Sequence, residues 1–479
     1  MEDPPLRPTG NIERFNIIRN QIKFYNNVQV TAWYSVPRSV LGASDSITNL
    51  VYAALRELIN IHPILGVNVK DEETPAPMWA RLDKIDLRDI VKIIESDLES
   101  TFDNWAQDGH RGSIGSSEEL PLWRVVVAAP PSETKEDEST KIKEVTRFAV
   151  GFFFHHGIGD GLSGGAFHLT FLNALNRLIT NDPKASLDNS TLAVVPVPKK
   201  DLLPNLEMKT PLPISILFMA KEIFKAFIYS PVDSLLWTGP PISTELPRPP
   251  ITTVRSFLLP ASIVDGLVSL CRREKTSVTA LITILIGRKL GMMYPKYSHF
   301  VGTLPVSLRK FTGNTNLDIG LYVSGATVKF SSTANPPRGY IGGDAHLWDA
   351  ARQCKKDIDA QSASPYDQSV GLLKFIANNF KGYFEGMLGT KRSASFEVSN
   401  LGLLDGGDGG EQGGRAYFDR VMFSQGAWTY GPPFCFCVAT AKNGGMSVAL
   451  SWDSSVAEDV KAEELLGWLE GELRGLVRE

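Results

Sequence analysis

Residues 148–154 form an apolar run with no polar break, which predicts a buried strand. His155-His156-Gly157-Ile158-Gly159-Asp160-Gly161 follows directly, and then an apolar pattern at helical spacing over about 162–178. Two histidines therefore stand where a buried strand ends, with glycines at 157, 159 and 161 allowing a tight turn. Elsewhere in the first part, the pattern predicts strands over 28–36, 65–69 and 122–128. It also predicts a helix over 47–60, capped by Ser44-Asp45-Ser46, with Val51, Leu55, Leu58 and Ile59 on one face. Residues 84–98 alternate charge with Ile and Leu and predict a strand running into a helix, while 1–12 read as a loose arm. A charged Ser/Glu/Lys stretch over 131–144 reads as an exposed loop.

Prolines then crowd the segment 184–250, interrupted by one predicted helix over 214–229. The second part resumes the earlier style. Strands are predicted over 253–259, 300–309, 321–330, 393–399 and 416–423, and helices over 261–273, 278–293, 344–359, 366–380 and 457–478. Strands at 434–440 and 447–452 form a hairpin about Lys442-Asn443-Gly444-Gly445. The expected organisation is α/β with mixed sheets: an N-terminal half over 1–185, a proline-rich crossover over 186–250, and a C-terminal half over 251–479.

Length supports two units, since 479 residues exceed one ordinary core. A formal net charge of −4 argues against a nucleic-acid surface, and nucleic acid is not an expected partner. Cys271, Cys354, Cys435 and Cys437 are too few and too unevenly spaced for a disulfide framework. Cys435 and Cys437 fall on one face of one strand, which suits neither a mutual disulfide nor a four-ligand metal site. Residues 1–10 carry no apolar segment that would read as a signal peptide, and no apolar stretch has membrane-spanning length. A cytoplasmic monomer is expected. Peripheral lipid contact through 214–229, or through the C-terminal helix with Leu465, Leu466, Trp468, Leu469 and Leu476, is the alternative.

The HHxxxDG arrangement after a buried strand resembles the active-site signature of the chloramphenicol-acetyltransferase-like superfamily of coenzyme-A-dependent acyltransferases and condensation domains. The wider pattern is similar to the yeast and fungal alcohol acetyltransferase family. It includes Glu13-Arg14, then Phe24-Tyr25-Asn26-Asn27, HHGIGDGLSGGAFH at 155–168, LPVSLR at 304–309 and FEVSNLG at 396–402. The DFGWG run of the plant branch is missing from the sequence. The resemblance covers essentially the whole chain. It implies two pseudo-equivalent halves with an active-site tunnel between them, acetyl-CoA as co-substrate with no resident cofactor, and an alcohol acceptor.

On that footing His156 is the expected general base. A thioester is already activated, so what is missing is a group to take the hydroxyl proton, and an imidazole titrates near operating pH. Asp160 is either a partner to His156 or a structural anion; the resemblance implies the second role, with Arg309 as its partner. His155 is expected to support the turn, as is Gly161. Ser424 or Gln425 is a candidate oxyanion or substrate contact. Lys391-Arg392 reads as an exposed pair, and a contact to a coenzyme phosphate is its functional reading. Three rivals use the same residues. Gly161-Leu162-Ser163-Gly164-Gly165 matches a serine-esterase elbow, although Ser163 reads more simply as a helix N-cap, and the second half offers no evident Asp…His pair in elbow order. A metal site on His155, His156 and Asp160 is disfavoured because adjacent strand residues point to opposite faces. A condensation-like scaffold that binds without turnover is the third.

Overall fold

The computed structural model describes residues 6–37, 47–98, 102–115, 117–130, 145–181, 192–223, 233–245, 250–332, 346–409 and 414–478. Two mixed sheets carry the architecture. The first has five strands in the order Tyr417–Gln425, Val28–Pro37, Val145–Phe154, Trp123–Ala129 and Val91–Glu95. Its pairs are antiparallel except the last, which is parallel. The second has six strands in the order Thr252–Leu259, Met446–Asp453, Phe434–Ala441, Phe396–Leu404, His299–Ser307 and Val323–Ser331. One strand from late in the chain thus completes the early sheet: Gln425 pairs with Val28 and Ser424 with Gln29. This crossover brings Ser424 and Gln425 to the end of the sheet where the histidine motif lies.

The strand Val145–Phe154 lies inside the sheet, and Phe148, Ala149, Val150, Phe152, Phe153 and Phe154 are buried on both its faces, as an interior strand requires. Phe152 stacks on Phe167 of the helix Gly161–Asn181 with centroids 3.9 Å apart. That helix can approach the sheet because position 164 is glycine; a Cβ there would stand 2.3 Å from Val30 Cγ2. Two large cores result. One packs the first sheet against helices Ile47–Ile61 and Gly161–Asn181, and the other packs the second sheet against Val278–Met293, Leu347–Ser362 and Asp459–Arg478.

Several expectations are corrected. Arg7–Pro8 pairs with strand Met78–Arg81, and a helix runs over Asn11–Gln21 where a loose arm and an unassigned stretch were expected. This helix shows no apolar stripe because Glu13, Asn16, Arg19 and Asn20 are buried beside Ile12, Ile17 and Ile18. The segment 84–98 contains two short strands joined by the turn Leu87–Ile90, and the helix comes later, at Phe102–Arg111. The predicted helix over 366–380 is replaced by tight turns at Ser369–Phe375 and Ala377–Asn379 and a short helix, Phe380–Glu385. Its apolar side chains are divided between the core and a cavity, so no single helical face serves both. Helix Asp459–Arg478 buries Leu465, Leu466, Leu469 and Leu473 in the second core, which leaves that face unavailable to a lipid surface. The predicted cap at 44–46 and loop at 131–144 lie outside the described residues, as does 224–229 of the predicted crossover helix. Among the described residues no single helix is long and apolar enough to cross a membrane.

Candidate active site

A cavity of about 430 Å³ is lined by residues of both sheets. His156, Asp160, Gly161 and Gln425 line it with the first sheet, and Thr303 and Glu397 with the second. It adjoins a larger cleft of about 840 Å³, with Gly325, Thr327 and Ser369 common to both walls. The histidines sit at the end of the central strand. His155 is buried, and its Nδ1 accepts from Gly157 N at 2.8 Å, so its ring closes the turn. His156 lines the cavity with its ring centroid 5.8 Å from that of Tyr25. His156 Nδ1 is buried without a hydrogen-bond partner, and the imidazole forms part of the cavity wall. Burial first, and the charge of Arg19 second, push the His156 pKa down to about 3. The ring is therefore neutral across the physiological range and able to accept a proton.

The glycines of the motif are there for space. None of 157, 159 and 161 has positive φ. An added Cβ would meet His155 Nδ1 at 2.8 Å from position 157, Ser163 Cβ at 2.7 Å from 159, and Leu401 Cδ2 at 2.7 Å from 161.

Asp160 faces away from the imidazole. Its carboxylate receives Arg309 Nη1 at 2.6 Å and Nη2 at 3.0 Å, Tyr322 N at 3.1 Å and Ser163 N at 3.0 Å. Burial pushes its pKa up, but the Arg309 charge and these hydrogen bonds outweigh that and leave it below the usual carboxylate value. Arg309 also donates to the carbonyls of Thr315, Asp318 and Gly320, so the pair ties the motif to a loop of the other half. Asp160 caps the helix at Ser163 N while Ser163 Oγ accepts from Asp160 N at 3.2 Å. The cap residue is thus Asp160, and Ser163 is its reciprocal partner. Ser163 Oγ bonds Asp160, Gly320 and Arg309, and no histidine is among its partners. The elbow reading lacks the base it requires.

Adjacent residues of strand Tyr417–Gln425 go to opposite faces. Gln425 reaches the cavity, where Nε2 donates to Glu397 Oε1 at 3.1 Å. Ser424 is fully buried on the other face, bonded to His110 Nε2 and Gln29 Oε1, each at 2.7 Å. Ser424 is therefore removed as a substrate contact. The pair 391–392 is not exposed as a pair either. Arg392 is buried, donating to the carbonyls of Pro240, Thr429 and Gly431, and Lys391 Nζ donates to those of Asp233 and Leu236. Both heads already serve main-chain oxygens, and neither residue lines the cavity. Among the described residues no three His, Cys, Asp or Glu side chains are grouped to hold a metal ion.

Sequence reasoning missed Arg19, Tyr25 and Glu397. Tyr25 is buried with its hydroxyl unpaired. Glu397 lines the cavity, and burial pushes its pKa up to about 7. Two of the three lie within runs quoted for the family resemblance, FYNN and FEVSNLG, and that was the available signal.

The fold, with two mixed sheets lining one cavity, is the two-lobed chloramphenicol-acetyltransferase-like fold of its structural neighbours. The chain belongs to the alcohol acetyltransferase family, whose model matches residues 8–473. It is 28% identical over 471 residues to a probable alcohol acetyltransferase, crmB, of Aspergillus fumigatus, covering 94% of this chain and 95% of that one. It is 22% identical to the probable alcohol acetyltransferase FCK4 of Fusarium pseudograminearum, covering 99% and 96%. Among solved structures it is similar in fold to the trichothecene 15-O-acetyltransferase TRI3 of Fusarium sporotrichioides. That match has TM-score 0.70 and 14% identity over 98% and 94% of the two chains. The first condensation domain of the calcium-dependent antibiotic synthetase shares the fold, with TM-score 0.64, 12% identity and coverage of 100% and 98%. The protein is an acyltransferase enzyme, and its family implies a coenzyme-A-linked acyl donor and an alcohol acceptor.

Proposed function

We propose that the protein transfers an acetyl group from acetyl-CoA to a hydroxyl of a small hydrophobic alcohol or secondary metabolite, with His156 as general base. The observation that carries this reading is the His156 imidazole on the cavity wall, a neutral ring whose neighbouring carboxylate is engaged by Arg309. In the proposed reaction, acceptor and thioester occupy the site together. Nε2 takes the hydroxyl proton as the oxygen bonds to the acyl carbon. The tetrahedral intermediate then expels the thiolate, which takes the proton back from the imidazolium, and ester and coenzyme A leave. No acyl-enzyme is formed, so Ser163 has no step to perform. The adjoining cleft and cavity favour a long donor and a separate acceptor arriving from different sides.

Asp160 and Arg309 hold the motif against the second half in this scheme, and His155 and Gly161 shape the turn. Gln425 is the one oxyanion candidate retained, by virtue of its place on the cavity wall. The test is to mix the protein with acyl-CoA thioesters of several lengths and a panel of alcohols, following free thiol and identifying products by mass spectrometry. Acetyl ester formed in step with thiol supports the reading. Thiol release without ester, or ester hydrolysis alone, overturns it.

A further inference from the structure

One charged group in the cavity has no role in proton transfer. Arg19, in the last turn of helix Asn11–Gln21, is 8% exposed and lines the cavity wall. Its guanidinium lies 4.0 Å over the Tyr25 ring, and Nη1 donates to Tyr430 Oη at 3.2 Å. Its Nε is buried with no hydrogen-bond partner. Among the described residues, no carboxylate lies within ion-pair distance of it. A cation taken out of water needs a negative partner. The Tyr25 face and the carbonyl end of its own helix supply part of that and no more. Glu397, across the cavity, is an incomplete partner: burial holds its carboxyl up to about 7, with Gln425 and Arg19 countering only in part.

We infer that Arg19 receives an anionic oxygen group, a carboxylate in the simplest case, carried by the acceptor. The alcohol acylated here is then a hydroxy acid or an equally acidic hydroxylated metabolite. This rests on reading the cavity as the acceptor site. The location excludes the phosphates of the donor. The guanidinium and the His156 imidazole share the Tyr25 ring as a neighbour, at 4.0 and 5.8 Å from its centroid respectively. The whole pantetheine arm lies between a thioester at His156 and the nearest phosphate of coenzyme A. The remaining wall fits a small amphipathic molecule: Ile12, Phe15, Val323 and Trp428 are apolar, and Thr303, Ser399 and Gln425 are polar.

The test pairs aliphatic and aromatic hydroxy acids with their methyl esters, which keep the hydroxyl and remove the charge. Without donor, the acids should raise the melting temperature of the wild-type protein more than the esters do, and Arg19→Gln should remove that difference. With acetyl-CoA, Arg19→Gln should raise KM for the acid at least about tenfold more than for the ester, the scale of one charge-assisted hydrogen bond. Arg19→Lys, which keeps the charge, should restore part of the preference and guards against a folding defect. The inference is overturned if no acid outperforms its ester in the wild type, or if Arg19→Gln lowers turnover of both equally, as loss of an oxyanion contact would. Acid-specific stabilisation without any acyl transfer would leave the anion site standing and remove the proposed reaction. Transfer without discrimination would do the reverse.

Discussion

Two arginines lie beside the histidine motif, almost equally hidden, at 3% exposure for Arg309 and 8% for Arg19. Arg309 is fully answered, with two short bonds to Asp160 and carbonyls of Thr315, Asp318 and Gly320. Arg19 has one phenol and two aromatic faces. Burial alone would class them together; partnership separates them. A buried charge with a complete set of partners holds structure, and one left incomplete at a cavity wall is poised for something the protein does not itself contain.

The comparison breaks most visibly at Arg309. Arg309→Ala leaves Asp160 buried and unpaired, and should cost about 3–5 kcal/mol in denaturant unfolding. A loss below about 1 kcal/mol would mean that the strut is not rigid. Acid comes next. Burial pushes His155 and His110 down to about 3 and His168 to about 4. All three lie below the unfolded value of about 6.5, so the unfolded chain binds protons first. Stability is complete above about pH 6.5 and falls as pH drops below it, by about 1.4 kcal/mol per pH unit for each histidine. Equilibrium unfolding between neutrality and about pH 5 checks this; a flat profile contradicts it. Ser163→Ala removes half of a capping box and should cost about 1 kcal/mol while ester formation continues. Loss of turnover by a stable Ser163→Ala variant would revive the esterase reading. Arg19→Gln should cost least, under about 1 kcal/mol, because relief of a buried cation without a carboxylate partner offsets the lost cation–π contact. A cost matching that of Arg309→Ala would erase the distinction between the two.

What the sequence made legible is what lies contiguous in it. The apolar run, the histidine turn and the amphipathic helix behind it are one stretch of chain, and they fold as one unit of strand, turn and helix. The pairing of Asp160 with Arg309 spans 149 residues, and no spacing rule reaches that far; only likeness to known acyltransferases suggested it. Ser424 and Gln425 could not be told apart because a strand sends neighbours to opposite faces. Their assignment depends on a register against Val28 and Gln29 that the chain does not encode locally. Arg19 escaped notice because its helix is buried on polar as well as apolar sides, which erases the usual stripe. Lys391 and Arg392 resembled a surface pair. Arg392 is buried because the loop at 429–431 and Pro240 present carbonyls to it.

Everything in the proposed chemistry converges on one ring nitrogen. The direct measurement is single-turnover ester formation by His156→Ala, at saturating acetyl-CoA and acceptor, alongside a melting curve showing that the variant is folded. The rate should fall by about 10²–10⁴. A folded variant that forms ester at the wild-type rate would contradict the account.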